Sequence, residues 1–161
     1  MSRDQSKTAQ NQKDNAFEKA MKKLLVSFHR GLFQLSGGRL GTATSDREFL
    51  LLTTRGRVSG QERTIPIFFF RDRGRSIIIA SNWGSQQHPQ WWLNLQADPH
   101  ARVQIGKQNI EVVASQADGE ERARLWTEVT RRHKEFLTYQ QGTTRTIPVV
   151  ILTPDEPGSV Q

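Results

Sequence analysis

The stretch FLLLTTRGRVSGQERTIPIFFF, residues 49–70, confines what this chain can fold into more tightly than any other. Residues 49–54 and 64–70 are short runs rich in apolar, β-branched and aromatic side chains, the chemistry of strands and too brief for a packed helix. The loop between them holds Gly56, Ser59 and Gly60 with the guanidinium groups of Arg55, Arg57 and Arg63. Such a loop suits an anion: glycine permits close backbone approach, successive amides form a concave nest, and arginine offers a planar fork matched to phosphate or carboxylate. It suits equally an ordinary basic hairpin connection whose arginines are solvated.

The remaining pattern extends this hairpin into a sheet. Arg71-Asp72-Arg73-Gly74-Arg75 is turn-like, and residues 76–81 (SIIIAS) read as a short buried strand. Pro89 sits well at a helix start, and Gln90 to Gln96 continue the helix until Asp98 and Pro99 end it. Adjacent Trp91 and Trp92 point about 100° apart on a helix, so one can pack on the sheet while the other meets a ligand or lies on the surface. Residues 101–105 and 109–115 alternate as strands joined through Gly106-Lys107, with glycine first as a type II′ turn prefers. Asp118, with Glu121 three residues on, reads as a capped helix start, and Leu125, Trp126, Val129, His133 and Phe136 give that helix an apolar face up to Gly142. A last strand is expected over 146–152. Mostly hairpin-linked strands with helices around them define an α+β chain with an antiparallel sheet or barrel, not a doubly wound parallel sheet.

Ahead of this lies a different composition. Residues 1–16 form a polar arm with little to bury, and residues 17–41 an amphipathic helix followed by a glycine-rich linker. Phe17, Met21, Leu24, Leu25, Phe28, Leu32 and Leu35 share one helical face. Of the formal net charge of +7, most lies in residues 1–40, where eight basic groups face three acids. The helix therefore either packs on its own domain or lays its apolar face against an anionic bilayer surface. The barrel domain is expected over 42–153 and a flexible tail over 154–161. There is no cysteine, no apolar core of a signal peptide and no run near the roughly 18 residues of a spanning helix, so the expected location is the cytoplasm.

The chemistry is narrowed mainly by what is missing. His29, His88, His100 and His133 lack metal-ligand spacing, so no metal is expected. No dinucleotide fingerprint, phosphate loop or nucleophile elbow is present, and the acids sit in turns and helix starts. Single-stranded nucleic acid is not expected as a partner, since the positive charge lies mainly off the barrel. What remains is an arginine and glycine anion loop, Ser81 at a strand end, an aromatic helix and Tyr139: parts of a cradle in which a cofactor carries the reaction.

The segments LLLTTRGRVSGQERTIPIFF, IIIASNWGSQQHPQWWLNLQADP and TRTIPVVIL resemble, in unbroken order, the deazaflavin-dependent nitroreductase family, which uses the reduced coenzyme F420. The resemblance implies a split β-barrel and hydride transfer from the deazaflavin to a small-molecule acceptor such as a quinone, enone or nitro compound. Flavin mononucleotide (FMN) is the rival cofactor, and a binder without turnover the rival role. By position, Arg57, Val58, Ser59, Gly60 and Arg63 would hold the phosphate and acidic tail, with Gln90, Trp91 and Asn94 closing over them. Pro66 and Ile67 would line the ring site, with Ala80, Ser81 and Asn82 at the strand end. Ser81 and Tyr139 would face the acceptor as catalytic hydroxyls, in a pocket shared with Phe68, His133 and Phe136. Val58 stands where many members carry a second basic residue, and Phe68, His133 and Phe136 stand where the nitro-reducing type has tyrosines. Monomer and homodimer both stay open as the expected assembly, and in this family such N-terminal helices can touch membrane, so peripheral contact through residues 17–35 stands beside packing on the barrel.

Overall fold

The computed structural model describes residues 48–155. The expectations for the polar arm, the amphipathic helix with its linker and membrane contact, and the end of the tail lie outside the described residues. Within them, six strands form one closed antiparallel barrel: β1 (Glu48–Arg55), β2 (Glu62–Asp72), β3 (Arg75–Ile79), β4 (His100–Ile105), β5 (Gln108–Gln116) and β6 (Val149–Pro154). Around the barrel the order is β1-β2-β3-β6-β5-β4, and β4 closes it on β1 with Leu52 opposite Val103. Three helices flank it: α1 (Gln90–Ala97), α2 (Gly119–Arg132) and α3 (Glu135–Gln141).

Turn chemistry fixes the register of the hairpins. Asp72 pairs with Arg75 across Arg73-Gly74, both at positive φ (50° and 79°), as a type I′ turn demands. Ile105 pairs with Gln108 across Gly106-Lys107, where only Gly106 has positive φ (60°), the type II′ pattern expected from sequence. The Asp72 carboxylate then ties the first of these hairpins to α2, accepting from Arg124 at 2.7 and 2.9 Å and from Arg75 at 2.9 Å. Those bonds, Arg124 foremost, hold its carboxyl well below the usual carboxylate range.

Strands β3 and β6 explain why their sequences do not alternate. Ile78, Val150 and Leu152 face the barrel interior with Leu50, Leu52 and Phe69. Ile77, Ile79, Val149 and Ile151 point outward into a second core, where Leu125, Val129 and Phe136 cover them. Both faces are buried, so both are apolar. Each fully buried side chain of this kind contributes about 1.5–3 kcal/mol.

Several boundaries differ from the sequence reading, each for a physical reason. Strand β3 stops at Ile79, two residues early, because the chain turns at Ser81 into a 3-10 turn over Asn82–Gly84. Strand β6 runs over Val149–Pro154, later than expected: the Ala117 amide donates to the Val149 carbonyl and that of Asp155 to Glu111, extending the pairing into what read as tail. The helix begun at Asp118 breaks at His133 into α2 and α3. Asp118 occupies the N-cap position but makes no side-chain cap bond. Glu121, the expected partner in a capping box, instead accepts from Arg75 at 2.7 Å.

Candidate functional site

The loop between β1 and β2 is shaped by its own backbone. The Gly56 amide donates to the Gln61 carbonyl at 2.8 Å, and the Gly60 amide donates to the Gly56 carbonyl at 2.7 Å. A Cβ on Gly56 would stand 2.8 Å from Ser59 Oγ and 3.1 Å from the Gln61 carbonyl, so a side chain there would displace the Ser59 hydroxyl and crowd the tight return. Helix α1 then clamps the loop. Gln90 and Asn94, one turn apart, both accept from Arg57 Nη1, at 2.9 and 3.2 Å, and Asn94 Oδ1 also accepts from the Arg57 amide at 3.2 Å. Asn94 is buried and donates through Nδ2 to Thr54 Oγ1 at 3.2 Å. Two neutral amides thus orient the Arg57 guanidinium without cancelling its charge.

This loop lines an open cavity of about 470 Å³, with Arg57, Ser59 and Arg63 on one side and Gln90, Trp91 and Asn94 on the other. Among the described residues no carboxylate pairs with Arg57 or Arg63. A second cavity, about 340 Å³, is walled by Pro66, Ile67, Phe68, Phe136, Trp83 and Tyr139, with Ser81 and Asn82 at its edge. Ile65 and Trp91 line both cavities, which therefore adjoin as one groove with a cationic end and an aromatic end. Here the paired tryptophans divide their work: Trp92 is buried in the barrel core, while Trp91, its ring 6.5 Å away, is half-buried between the cavities.

The segment from Ala80 to His88, which edges the aromatic cavity, is held by a residue that sequence reading did not single out. Arg145 donates to the carbonyls of Ala80 (3.2 Å), Ser81 (2.7 Å) and Ser85 (2.9 Å). Its Nη1 also lies 3.1 Å from His88 Nδ1. A guanidinium can only donate, so Nδ1 is the acceptor and carries no proton. Burial, with the Arg145 charge second, holds His88 below the ordinary imidazole value, and burial also lowers Arg145. Gln86 Oε1 adds a second tie, accepting from Thr143 Oγ1 (2.9 Å) and from the Thr144 amide (3.2 Å) and hydroxyl (3.0 Å).

The structure brings together in the groove most residues singled out from sequence: Arg57, Val58, Ser59, Arg63, Gln90, Trp91 and Asn94 at the cationic end, and Pro66, Ile67, Phe68, Ser81, Asn82, Phe136 and Tyr139 at the aromatic end. Val58 lies at the loop tip, 91% exposed. Gly60, Ala80 and His133 line neither cavity. Ala80 is buried in the barrel interior and offers its carbonyl to Arg145. His133 is buried behind Phe68, ring centroids 4.6 Å apart. Sequence reading missed Trp83 and Arg145. Arg145 stood in the TRTIP segment, but nothing local signals partners some sixty positions earlier.

A closed antiparallel barrel whose groove has two guanidiniums at one end and aromatic side chains at the other is the architecture of the split-barrel oxidoreductases, a class that holds a redox coenzyme rather than reacting through its own side chains. Residues 26–154 match the family model described as F420H(2)-dependent quinone reductase. A putative F420H(2)-dependent quinone reductase of Mycobacterium tuberculosis is 40% identical over 105 residues, covering 65% of this chain and 88% of its own. A solved F420-H2 dependent reductase (FDR-A) is 33% identical, with a TM-score of 0.60 over 65% of this chain and 93% of its own. Another structure, described as a domain-swapped dimer, is 28% identical with a TM-score of 0.62, covering 87% of this chain and 98% of its own. The chain belongs to the F420H(2)-dependent quinone reductase family, and coenzyme F420 is its cofactor.

Proposed function

We propose that this protein transfers a hydride from reduced coenzyme F420 to a small oxidised acceptor, with quinones the leading class. One observation carries the reading: two adjoining cavities share Ile65 and Trp91, the first holding two guanidiniums without a carboxylate, the second aromatic and edged by hydroxyls. An elongated coenzyme with a phosphate and acidic tail at one end and a flat ring at the other matches that polarity. Arg57, Ser59 and Arg63 would bind the anionic end, each charge-assisted hydrogen bond contributing ~1.5–3 kcal/mol. Gln90, Trp91 and Asn94 would close over it, and Pro66 and Ile67 would lie against the ring.

The reduced deazaflavin supplies the hydride. Ser81 and Tyr139 would orient the acceptor and pass it a proton, so that a quinone takes up both and leaves as hydroquinone. The barrel and the aromatic walls would keep water from the transfer site. Phe68 and Phe136 bring no hydroxyl, which favours a flat apolar quinone over acceptors that need polar anchoring, among them nitro compounds.

The same reading extends to assembly and place. A homodimer is the assembly to look for, given the domain-swapped relative. Among the described residues no helix is long and apolar enough to cross a membrane. The basic amphipathic pattern of residues 17–35 supports a cytoplasmic protein that touches the inner membrane face, which co-sedimentation with anionic vesicles tests.

Titration with coenzyme F420 beside FMN, followed by quinone-dependent oxidation of the reduced coenzyme, tests the function. Arg57→Ala and Arg63→Ala should each weaken F420 binding about tenfold, a loss of ~1.4 kcal/mol. If both variants bind like the parent, or if FMN binds more tightly, the reading fails. Bound reduced coenzyme that no quinone, enone or nitro compound reoxidises would leave a carrier instead.

A further inference from the structure

Trp83 is the residue the proposed reaction leaves unexplained. It stands at φ 57°, ψ 27°, in the left-handed region, directly after Asn82 at φ 47°. Bulky side chains rarely adopt that conformation, and where they do the surroundings hold them there, commonly at functional sites. The holding contacts are present. The Ser85 amide donates to the Asn82 carbonyl at 3.0 Å, and Asn82 Nδ2 donates to the Gln87 carbonyl at 2.9 Å. Gly84, at φ 78°, lies so close to α3 that a Cβ would stand 2.9 Å from the Tyr139 carbonyl.

The result is a large apolar ring pushed outward. Trp83 is 83% exposed, yet it lines the aromatic cavity, so it stands at the mouth. Among the described residues its aromatic neighbour is Tyr139, edge-on at 6.0 Å. Tyr139 in turn meets Phe136 edge-on at 5.8 Å, so an aromatic wall runs from the cavity interior to its rim. Folding alone gives no reason to strain the backbone in order to expose an indole.

We propose that Trp83 is a specificity-determining residue that packs against the outer part of a flat acceptor and selects bicyclic quinones over monocyclic ones. This rests on the quinone-reducing reading of the same groove. A ring system that extends past Tyr139 to the mouth would lie against the indole over a larger area than a single ring held at Ser81 and Tyr139.

Kinetics of quinone-dependent oxidation of reduced F420 with a naphthoquinone and with p-benzoquinone test the proposal in the full-length protein. Trp83→Ala should raise KM for the naphthoquinone about tenfold and that for p-benzoquinone less than threefold, with kcat for both within threefold. Trp83→Phe should restore most of the naphthoquinone KM. In protein carrying oxidised F420, where no turnover occurs, the naphthoquinone should quench tryptophan fluorescence less in Trp83→Phe than in the parent. Unchanged KM in Trp83→Ala, equal losses for the two quinones, or identical quenching would overturn the role of Trp83 while leaving quinone reduction standing. A parent protein that binds F420 but oxidises neither quinone would instead sink the underlying function.

Discussion

The Arg145 guanidinium donates through Nη2 to the Ser81 carbonyl at 2.7 Å, joining two positions 64 residues apart in sequence. Through that bond and those to Ala80 and Ser85, one side chain fixes the segment that carries Ser81, Asn82 and Trp83 along the aromatic cavity. Arg145→Met would take the donor from the Ala80 and Ser85 carbonyls and from His88 Nδ1, and one of two donors from the Ser81 carbonyl, which also accepts from the Gly84 amide at 3.0 Å. The expected cost is ~2–4 kcal/mol of unfolding free energy by urea titration, since hydrogen bonds from a charged group contribute more than neutral ones. Hydride transfer should fall further than coenzyme affinity, because the arginine loop between β1 and β2 lies at the other end of the groove. Equal stability of parent and variant would mean that the segment holds its shape unaided.

Gly84 offers a sharper test of the same scaffold. Its φ of 78° and its approach to Tyr139, where an added Cβ would meet backbone atoms at 2.9 and 3.0 Å, leave no room for a side chain. Gly84→Ala should therefore cost ~2–3 kcal/mol, the sum of a left-handed backbone penalty and displacement of α3. Gly74→Ala serves as the control: its φ is similar, at 79°, but nothing lies within 4 Å of its added Cβ. Thermal melts of the two variants should separate backbone strain from the clash with Tyr139, and Gly84→Ala should melt lower.

How far such relationships were legible in the sequence depends on their range. The hairpins were readable because Arg73-Gly74 reads as a turn and Gly106-Lys107 states its type locally, whereas closure into a barrel, through β1 on β4 and β6 on β3 and β5, was implied only by the resemblance. Most of the cationic end was readable too, since its arginines and glycines sit within one loop. The helix break at His133 was not, because the apolar spacing of Leu125, Val129, His133 and Phe136 continues through it while the backbone does not. Nor was the missing capping box: Glu121 has the right spacing, but Arg75 on a distant hairpin offers a charged partner. Arg145 and Trp83 depend on tertiary contacts and on a backbone conformation that residue type argues against, so neither carries a local signal.

Asn94 decides whether the Arg57 charge stays available. Its Oδ1 accepts from Arg57 at 3.2 Å as a neutral amide, which orients the fork without neutralising it. Asn94→Asp would place a carboxylate at that position and pair the guanidinium internally. Coenzyme affinity should then fall at least tenfold, ~1.4 kcal/mol, with Arg57 still in place. Asn94→Ala, which only loosens the fork, should lose less. Calorimetric titration of both variants with F420 checks the order, and parental affinity in Asn94→Asp would show that Arg57 does not meet the anion.

His88 gives the scaffold a pH limit. Its imidazole must stay unprotonated at Nδ1 to accept from Arg145, and burial and that cation hold it below the ordinary value of 6.5 in the folded protein. In the unfolded chain His88 takes up a proton as the pH drops through 6.5, whereas the folded protein resists it, so the unfolded state binds more protons in that interval. The stabilisation is therefore complete above pH 6.5 and is lost as the pH falls toward and through the lowered folded value. The carboxylate of Asp72, also depressed, loses its contribution only below the ordinary carboxylate value of 3.8, which leaves the pH 6.5 to 5 interval to histidine. His88→Gln keeps an amide oxygen that can accept from Arg145 and removes the titration. Urea midpoints measured at pH 7.5 and 5.5 should thus fall more for the parent than for His88→Gln, and parallel losses would show that His88 is not the group responsible.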